Sequence, residues 1–594
     1  MLGPFGKVLE RIEQIEPVSG PDKLTGLQKA IKTYVKPRSF VHLCTSHNRP
    51  GAVTLEMVRA FRNQKPELQI SCLGFTGNMV MPVHTGAATR LITTFCGDSY
   101  PTPGPNPVID RAWKEGRLEV ENWSILTFPL RLLAGAMGVP YMLTRSLVGS
   151  SMAKDNKDDF QVIETKEGES FGMVSALNPD VAFIHVPCAD RSGNALLTPP
   201  FGEEALGAWS ARQGVVVTTD KIVSSEYIRQ HSHLCKVPSY MVLAVCEVPF
   251  GAHPGGVSSQ GLPDFEAYAD DYDFVLEVRK ACKTEESAEA WVKEWIDDAP
   301  SWEDYLEKLG HERLWALKGK ARPDSWKTEL LSLSSHIPTG PEFSPVEMMV
   351  VAAGRILAHR VREQGLSTVL AGVGASNLAA WLAYYQLRQE NYDCELMAEL
   401  GFYGYVPRPA DPFIFNYRNM PTSRMLTGIP AIMGVFMGGF ANQCIGSIGA
   451  GQVDKYANIN TTLIPGVAYL TGSGGGNDIC SAASEVIVTA LSGKNRLVEK
   501  IDYITSPGDR VKALVTDSGV FEKAPGKSGL VLRAYFEKPG KSEEEILEDI
   551  RQNCGWTLIT DGPGSFPPPS EDELKLLRVL DPRRQFLGKK PGGA

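Results

Sequence analysis

The sequence predicts an α/β protein made of two tandem, related domains with mostly parallel sheets. Three observations lead there. β-rich apolar runs alternate with amphipathic helical patterns, the alternation breaks and restarts near the middle of the chain, and one segment of the first half is echoed in the second. Length points the same way, because 594 residues exceed what one core supports at roughly 100 to 200 residues per domain.

The N-terminal MLGPFGKVLERIEQIE has no apolar core of the signal-peptide kind and reads as a short polar helix. Ser39 to Leu43 and Leu68 to Leu73 read as strands, with a helix at Thr54 to Arg62 between them. Leu126 to Met137 reads as a helix, and Val181 to Val186 and Val215 to Thr219 as strands. From Thr284 to Leu317 the chain becomes acid-rich helices carrying Trp291, Trp295, Trp302 and Trp315, which closes a first domain at residues 1–317. Lys318 to Ser344 is rich in Lys, Pro, Ser and Gly and reads as a linker, 318–344. The second domain, 345–594, opens with a long helix to about Arg362 and a strand at Thr368 to Leu370. Its most apolar stretch, Leu426 to Ile448, carries Pro430, five glycines, Asn442 and Gln443, which fits a buried strand and loop rather than a membrane span. The echo links IHVPCADRSGNALL (184–197) to IGAGQVDKYANINTT (448–462), each followed by a helix and a Val/Ile-rich strand. Two related domains packed together, with a site between them, follow from it.

Composition narrows the function. Hydrophobic residues are 43% and charged residues 22%, the balance of a soluble globular protein. A net charge of −9 spread along the chain offers no basic face, so nucleic acid is not expected as a partner. The eleven cysteines stand singly and read as reduced core thiols of a cytoplasmic protein. No His-x-x-x-His or Cys cluster marks a metal site. His253, on the loop VPFGAHPGG (248–256), reads as structural.

Three segments carry chemistry. YLTGSGGGND (469–478) is a strand entering four glycines within five residues and then a helix near Asn477, a place where backbone N–H groups hold negative charge, as a phosphate cradle or an oxyanion hole. CELMAELGFYGYVP (394–407) ends an alternating strand with Glu399, where α/β folds place ligands; Glu395 shares its parity, so periodicity does not separate the two. Gly372-Val373-Gly374-Ala375-Ser376-Asn377 joins a strand to a helix but lacks the third glycine of a dinucleotide loop.

These segments together resemble the family I coenzyme A transferases, most closely the glutaconate type, whose A and B subunits are separate chains. Residues 28–317 resemble the A subunit in DKIVSSEYIRQ, VPFGAHPGG and the Trp-bearing tail; residues 345–587 resemble the B subunit in GAGQVDKYANINTT, YLTGSGGGND, KIDYITSPG and LRVLDPRRQFL. The resemblance implies CoA transfer between an acyl-CoA and a carboxylic acid, with coenzyme A as substrate, no tightly bound cofactor and a homo-oligomeric state. It implies Glu399, followed by Leu400 and Gly401, as the covalent nucleophile, with the N–H groups of Gly475 and Gly476 as oxyanion donors. It places Ser99 where a substrate-facing serine stands, and makes Gly474, Asn477, Gly372 and Gly374 candidates for substrate contact. The chain departs from the family in CTSHNRP (44–50), which replaces Gly-Gly-Phe, in GVGASN for Gly-x-Gly-Leu-Pro, and in Ala457 where Gly is usual. An acyl-CoA hydrolase using a first-half glutamate such as Glu119 or Glu121 is the alternative on the same fold, and a non-catalytic acyl-CoA sensor the alternative of another class.

Overall fold

The computed structural model describes residues 3–14, 18–45, 47–527 and 529–589. Met1, Leu2, Ile15 and Glu16 of the N-terminal reading, and Ser46 of the 44–50 segment, lie outside them.

Two sheets organise the chain. In the first, β1 (Phe40–Leu43), β2 (Leu68–Ser71), β3 (Ala88–Thr93), β4 (Glu119–Asn122), β5 (Val181–Asp190), β6 (Gly214–Val223) and β7 (Val242–Glu247) lie in the order β7-β6-β5-β1-β2-β3-β4. All six of these pairings are parallel. The central strand β5 is buried along its whole length, as a strand covered on both faces must be. The helix predicted at Thr54 to Arg62 forms as α1 (Gly51–Ala60), and the one predicted from Leu126 runs Thr127–Met137.

The second sheet repeats this plan. β8 (Thr368–Ala371), β9 (Glu395–Ala398), β11 (Cys444–Gly449), β12 (Glu485–Ala490) and β13 (Val511–Thr516) form a parallel core in the order β9-β8-β11-β12-β13, and β10 (Phe402–Tyr403) continues from β9 antiparallel. Helices α2 (Pro345–Gln364) and α3 (Ala375–Gln389) cover it, and α2 begins at a capping box of Ser344 and Glu347. The sequence echo is a structural one. After β5, Asp190 accepts the backbone N–H of Asn194 at 2.9 Å and its amide at 2.8 Å; after β11, Asp454 accepts the same two groups of Asn458 at 3.0 and 3.1 Å.

Two stretches differ from expectation. Residues 318–344 are not a bare linker: Ser325–Leu333 is a helix, anchored by Glu329 to Arg418 and Arg583 of the second half. Loop-forming composition hid the helix-forming run WKTELLSL within it. The apolar stretch 426–448 is not wholly buried, since it holds a π-helical segment, Pro430–Phe436, before strand β11, and Val435 and Phe440 face solvent. Among the described residues no helix is long and apolar enough to cross a membrane. The eleven cysteines are unpaired, and all but Cys235 are buried.

The halves share a core. Trp123, Ile125 and Phe128 from the first join Met433, Ile459 and Ile479 from the second in one buried apolar cluster. That cluster lies directly behind the site.

Candidate active site

Glu399 stands at the C-terminal end of β9, first in the three-residue connection Glu399-Leu400-Gly401 to β10. Gly401 adopts φ +107°, and a Cβ there would collide with the Thr427 carbonyl and come within 2.8 Å of Pro200. The tight turn is thus available to glycine and tips the Glu399 carboxylate into a cavity. Glu395, of equal parity, stands at the opposite end of β9, about 13 Å away at some 3.3 Å per residue, and is held by Arg424 at 3.1 Å. The structure separates the two glutamates that periodicity left equivalent.

Burial pushes the Glu399 carboxyl up to about 7, the charge of Asp478 adds to the rise, and the Gly475 backbone amide opposes it. Asp478 was not singled out from sequence. It sits in the first turn of α4 (Gly476–Ala482), where Oδ1 accepts the Ser124 hydroxyl at 2.6 Å and Oδ2 the Leu126 N–H at 3.1 Å, so one buried carboxylate ties the glycine loop to the first half. A lone Asp after a Gly-rich run reads as a helix-start residue, which hid this role.

The glycine loop is clasped by the strand end of the first half. Gly472 bridges Phe95, the Gly474 N–H donates to the Thr94 carbonyl at 2.9 Å, and the Ile125 N–H donates to the Gly474 carbonyl at 3.0 Å. A Cβ on Gly475 would meet Glu399 Oε2 and press on the Met433 methyl, so this backbone lies directly against the carboxylate. The two expected oxyanion donors are not equivalent. The Gly476 N–H is bonded to the Ser473 carbonyl at 3.1 Å within the turn, whereas that of Gly475 faces Glu399. Asn477, expected at the substrate, lies beneath the loop instead; it is fully buried, donates to the Thr505 carbonyl at 2.8 Å and accepts from the Leu147 N–H at 2.8 Å. Every polar atom of its amide is near a protein partner, so it positions the loop.

Glu399 and Gly474 line two connected spaces. The outer cleft, about 560 Å³, runs along Gly472 to Gly476 and includes Gly372, Arg496 and Ser506. The inner cavity, about 90 Å³, is lined mainly by apolar side chains, among them Leu73, Phe95, Ile125 and Phe413, with Thr45, Arg49, Thr76, Thr94 and Ser99 as polar members beside Glu399. Ser99 therefore sits in the same cavity as Glu399. Gly374 caps α3 and is outside both walls, while Gly372 reaches the cleft. The 44–50 segment contributes more than its sequence suggested. The His47 ring stacks on Phe402 with centroids 5.7 Å apart, and its Nε2–H donates to the Leu400 carbonyl at 2.9 Å, holding the Glu399 turn from the first half. Burial lowers His47 to about 4, so it serves as a neutral donor. His253 is buried on Tyr305 at 2.7 Å and Asp271 at 3.1 Å, a structural role.

The Coenzyme A transferase family description matches residues 25–247. The A subunit of the glutaconate CoA-transferase from Acidaminococcus fermentans is 28% identical over 317 residues, covering 50% of this chain and 94% of its own. The B subunit of the 3-oxoadipate CoA-transferase from Pseudomonas knackmussii is 28% identical over 272 residues, covering 42% of this chain and 98% of its own. The chain is thus similar, half by half, to the A and B subunits of CoA transferases. It unites counterparts of the A and B subunits in one polypeptide and is an enzyme, a CoA transferase. The apoenzyme of acyl-CoA transferase YdiF from Escherichia coli O157:H7 shares its fold, with a TM-score of 0.62 at 15% identity, covering 98% of this chain and 99% of that one.

Proposed function

We propose that the chain transfers CoA from an acyl-CoA to a carboxylic acid through a glutamyl-CoA thioester on Glu399, residues 1–317 acting as the A-like domain and 345–594 as the B-like domain. The observation that carries this is a single carboxylate at a strand end, set beside the Gly475 backbone amide and opening on a cavity walled by both halves.

The Glu399 carboxylate attacks the thioester carbonyl, and the CoA thiolate leaves as a mixed anhydride forms. The thiolate then attacks the glutamyl carbonyl, expelling the product acid and leaving Glu399 bound to CoA. The acceptor acid reverses the two steps. Splitting the exchange keeps each step near-isoenergetic, so thioester energy is retained. Gly475 N–H is the donor placed for the tetrahedral oxyanions, and the outer cleft, ending near Arg496, takes the CoA chain. The walls exclude water that would hydrolyse the anhydride. CoA is a substrate here, no cofactor is retained, and the enzyme works in the cytoplasm as a homo-oligomer.

A hydrolase using a first-half glutamate draws less support. Glu121 accepts from Arg90 at 2.7 Å, Arg131 at 2.8 Å and Trp123 Nε1 at 2.6 Å, which commits both its oxygens away from the cavity. Incubation with acyl-CoA but no acceptor separates the readings. A transferase accumulates an adduct at residue 399, cleaved by hydroxylamine and absent in Glu399→Gln, while the matched Glu395→Gln retains it; steady CoA release with no trappable adduct would overturn the assignment.

A further inference from the structure

Glu203 and Glu204, in the connection between β5 and β6, are adjacent carboxyls that the proposed mechanism does not use. They are 0% and 3% exposed and line neither the inner cavity nor the outer cleft. Each directs one oxygen to the main chain of the 44–50 segment. Glu203 Oε1 accepts the Thr45 N–H at 2.7 Å, and Glu204 Oε1 accepts the His47 N–H at 3.0 Å. Their second oxygens, also buried, have no partner among the described residues. Burial pushes both carboxyls up, and the charge of Glu204 pushes Glu203 further. Arg49 draws Glu203 down, but among the described residues no cation stands within 4.0 Å of either carboxyl. Two buried acids with half their oxygens unpaired cost stability, which is the mark of groups placed for function rather than for folding.

What they hold leads to the site by two routes. The Thr45 hydroxyl accepts the Leu73 N–H at 3.1 Å, and both residues wall the inner cavity. His47, its main-chain N–H fixed by Glu204, reaches the second half, where its ring donates to the Leu400 carbonyl at 2.9 Å, one residue beyond Glu399. The segment is therefore held to the first half by its main chain and to the Glu399 turn by one side chain.

We propose that Glu203 and Glu204 are positioning residues: they suspend the 44–50 segment by its main chain so that His47 sets the Glu399 turn from the first half. Neither touches substrate. His47 belongs to the segment in which this chain departs from Gly-Gly-Phe, so the path is not one that the resemblance implies. The proposal rests on the transferase reading only for the chemistry at Glu399; the path from Glu204 through His47 to Leu400 is independent of it.

The test uses two readouts on the full chain. The first is hydrogen–deuterium exchange on peptides spanning 44–50 and 399–405. Glu204→Ala should speed exchange in both, and Glu204→Gln, which keeps an acceptor oxygen and the same shape, should leave both close to the wild type. Faster exchange confined to 44–50, or in neither peptide, would overturn the proposal, because the segment would then not carry the turn. Should Glu204→Ala fail to fold, His47→Leu, which leaves both acids in place, is read in the same way. Faster exchange at 399–405 supports the path, and unchanged exchange there overturns it. The second readout is the rate of adduct formation at residue 399 from acyl-CoA without acceptor. Glu204→Ala and His47→Leu should each slow it by about 10- to 100-fold, as a small misplacement of a reacting group does. The double variant should be no slower than the slower single variant, because both act on one path. Losses that multiply would show that Glu204 acts elsewhere and would overturn the proposal. Absence of any adduct in the wild type, with exchange at 399–405 coupled to Glu204, would sink the transferase mechanism and leave the positioning role supported.

Discussion

At the scale of single residues, the site rests on a carboxylate whose ionisation the surroundings oppose. With Glu399 held at about 7, chiefly by burial and then by Asp478, only part of it is ionised at neutral pH. On the proposed mechanism the anion is the nucleophile, so kcat/KM should rise with pH through that region. Asp478→Asn removes the second cause and should shift the rise to lower pH, which a pH-rate profile reads directly; an unmoved profile would show that Asp478 acts only as a tie to Ser124. The same logic gives a stability sign. Glu399 binds its proton more tightly folded than unfolded, so its contribution is fully present below the ordinary carboxylate range and is lost as pH rises towards 7. Gly475→Val should cost at least about tenfold in turnover with the fold intact, because it blocks the one donor facing the carboxylate. That Glu399 and Ser99 line one cavity, with Gly475 beside the carboxylate, agrees with where strand end, family pattern and glycine run had pointed. Asp478 and His47 were not singled out, since each acts across chain segments far apart in sequence. Asn477 was misread for the same reason: its partners, Leu147 and Thr505, lie in different halves.

At the scale of elements, the β9–β10 turn shows how a local rule sets a functional position. Alternation correctly made 395–398 a strand, but alternation is blind to direction along the strand, and only the turn distinguishes its ends. Gly401 is where that turn is specified. Gly401→Ala should destabilise the protein by about 1–3 kcal/mol, measured by denaturant titration, because positive φ and collision with the Thr427 carbonyl act together. It should also reduce turnover beyond what the stability loss explains, since the Thr427 N–H to Gly401 carbonyl bond of 2.9 Å and the His47 bond to Leu400 both depend on the turn. Full activity in a folded variant would show that the turn tolerates a side chain and does not aim the carboxylate. Parallel strands were readable as continuous apolar runs, whereas the helix at Ser325–Leu333 was not, because its support is ionic and comes from Arg418 and Arg583 rather than from an apolar face.

At the scale of the whole molecule, fusion matters because the site is a seam. Thr94, Phe95 and Ile125 come from one half, Glu399 and Gly474 from the other, and the loop between 472 and 474 is hydrogen-bonded as though it were an added strand of the first half. The internal echo in the sequence announced two related sheets, but how they face each other was beyond it, since that depends on contacts such as Ser124 to Asp478 that no periodicity encodes. The covalent join then supplies association at an effective concentration of roughly millimolar for a short flexible connection. The structure indicates where that join can be cut. Arg322, Pro323 and Asp324 are exposed, and the helix that follows them is pinned to the second half through Glu329. A protease site placed there, cleaved after folding, should leave the halves together on size-exclusion chromatography with activity retained, because the shared cluster of Trp123, Phe128, Met433 and Ile479 and the ties to Asp478 are untouched. In mild urea the nicked enzyme should lose activity in a manner that depends on its concentration, while the intact chain loses it independently of concentration, since only the nicked form has exchanged an intramolecular encounter for a bimolecular one. Halves that separate on nicking alone, in buffer, would show that the connection rather than the apolar seam holds Glu399 against the first half.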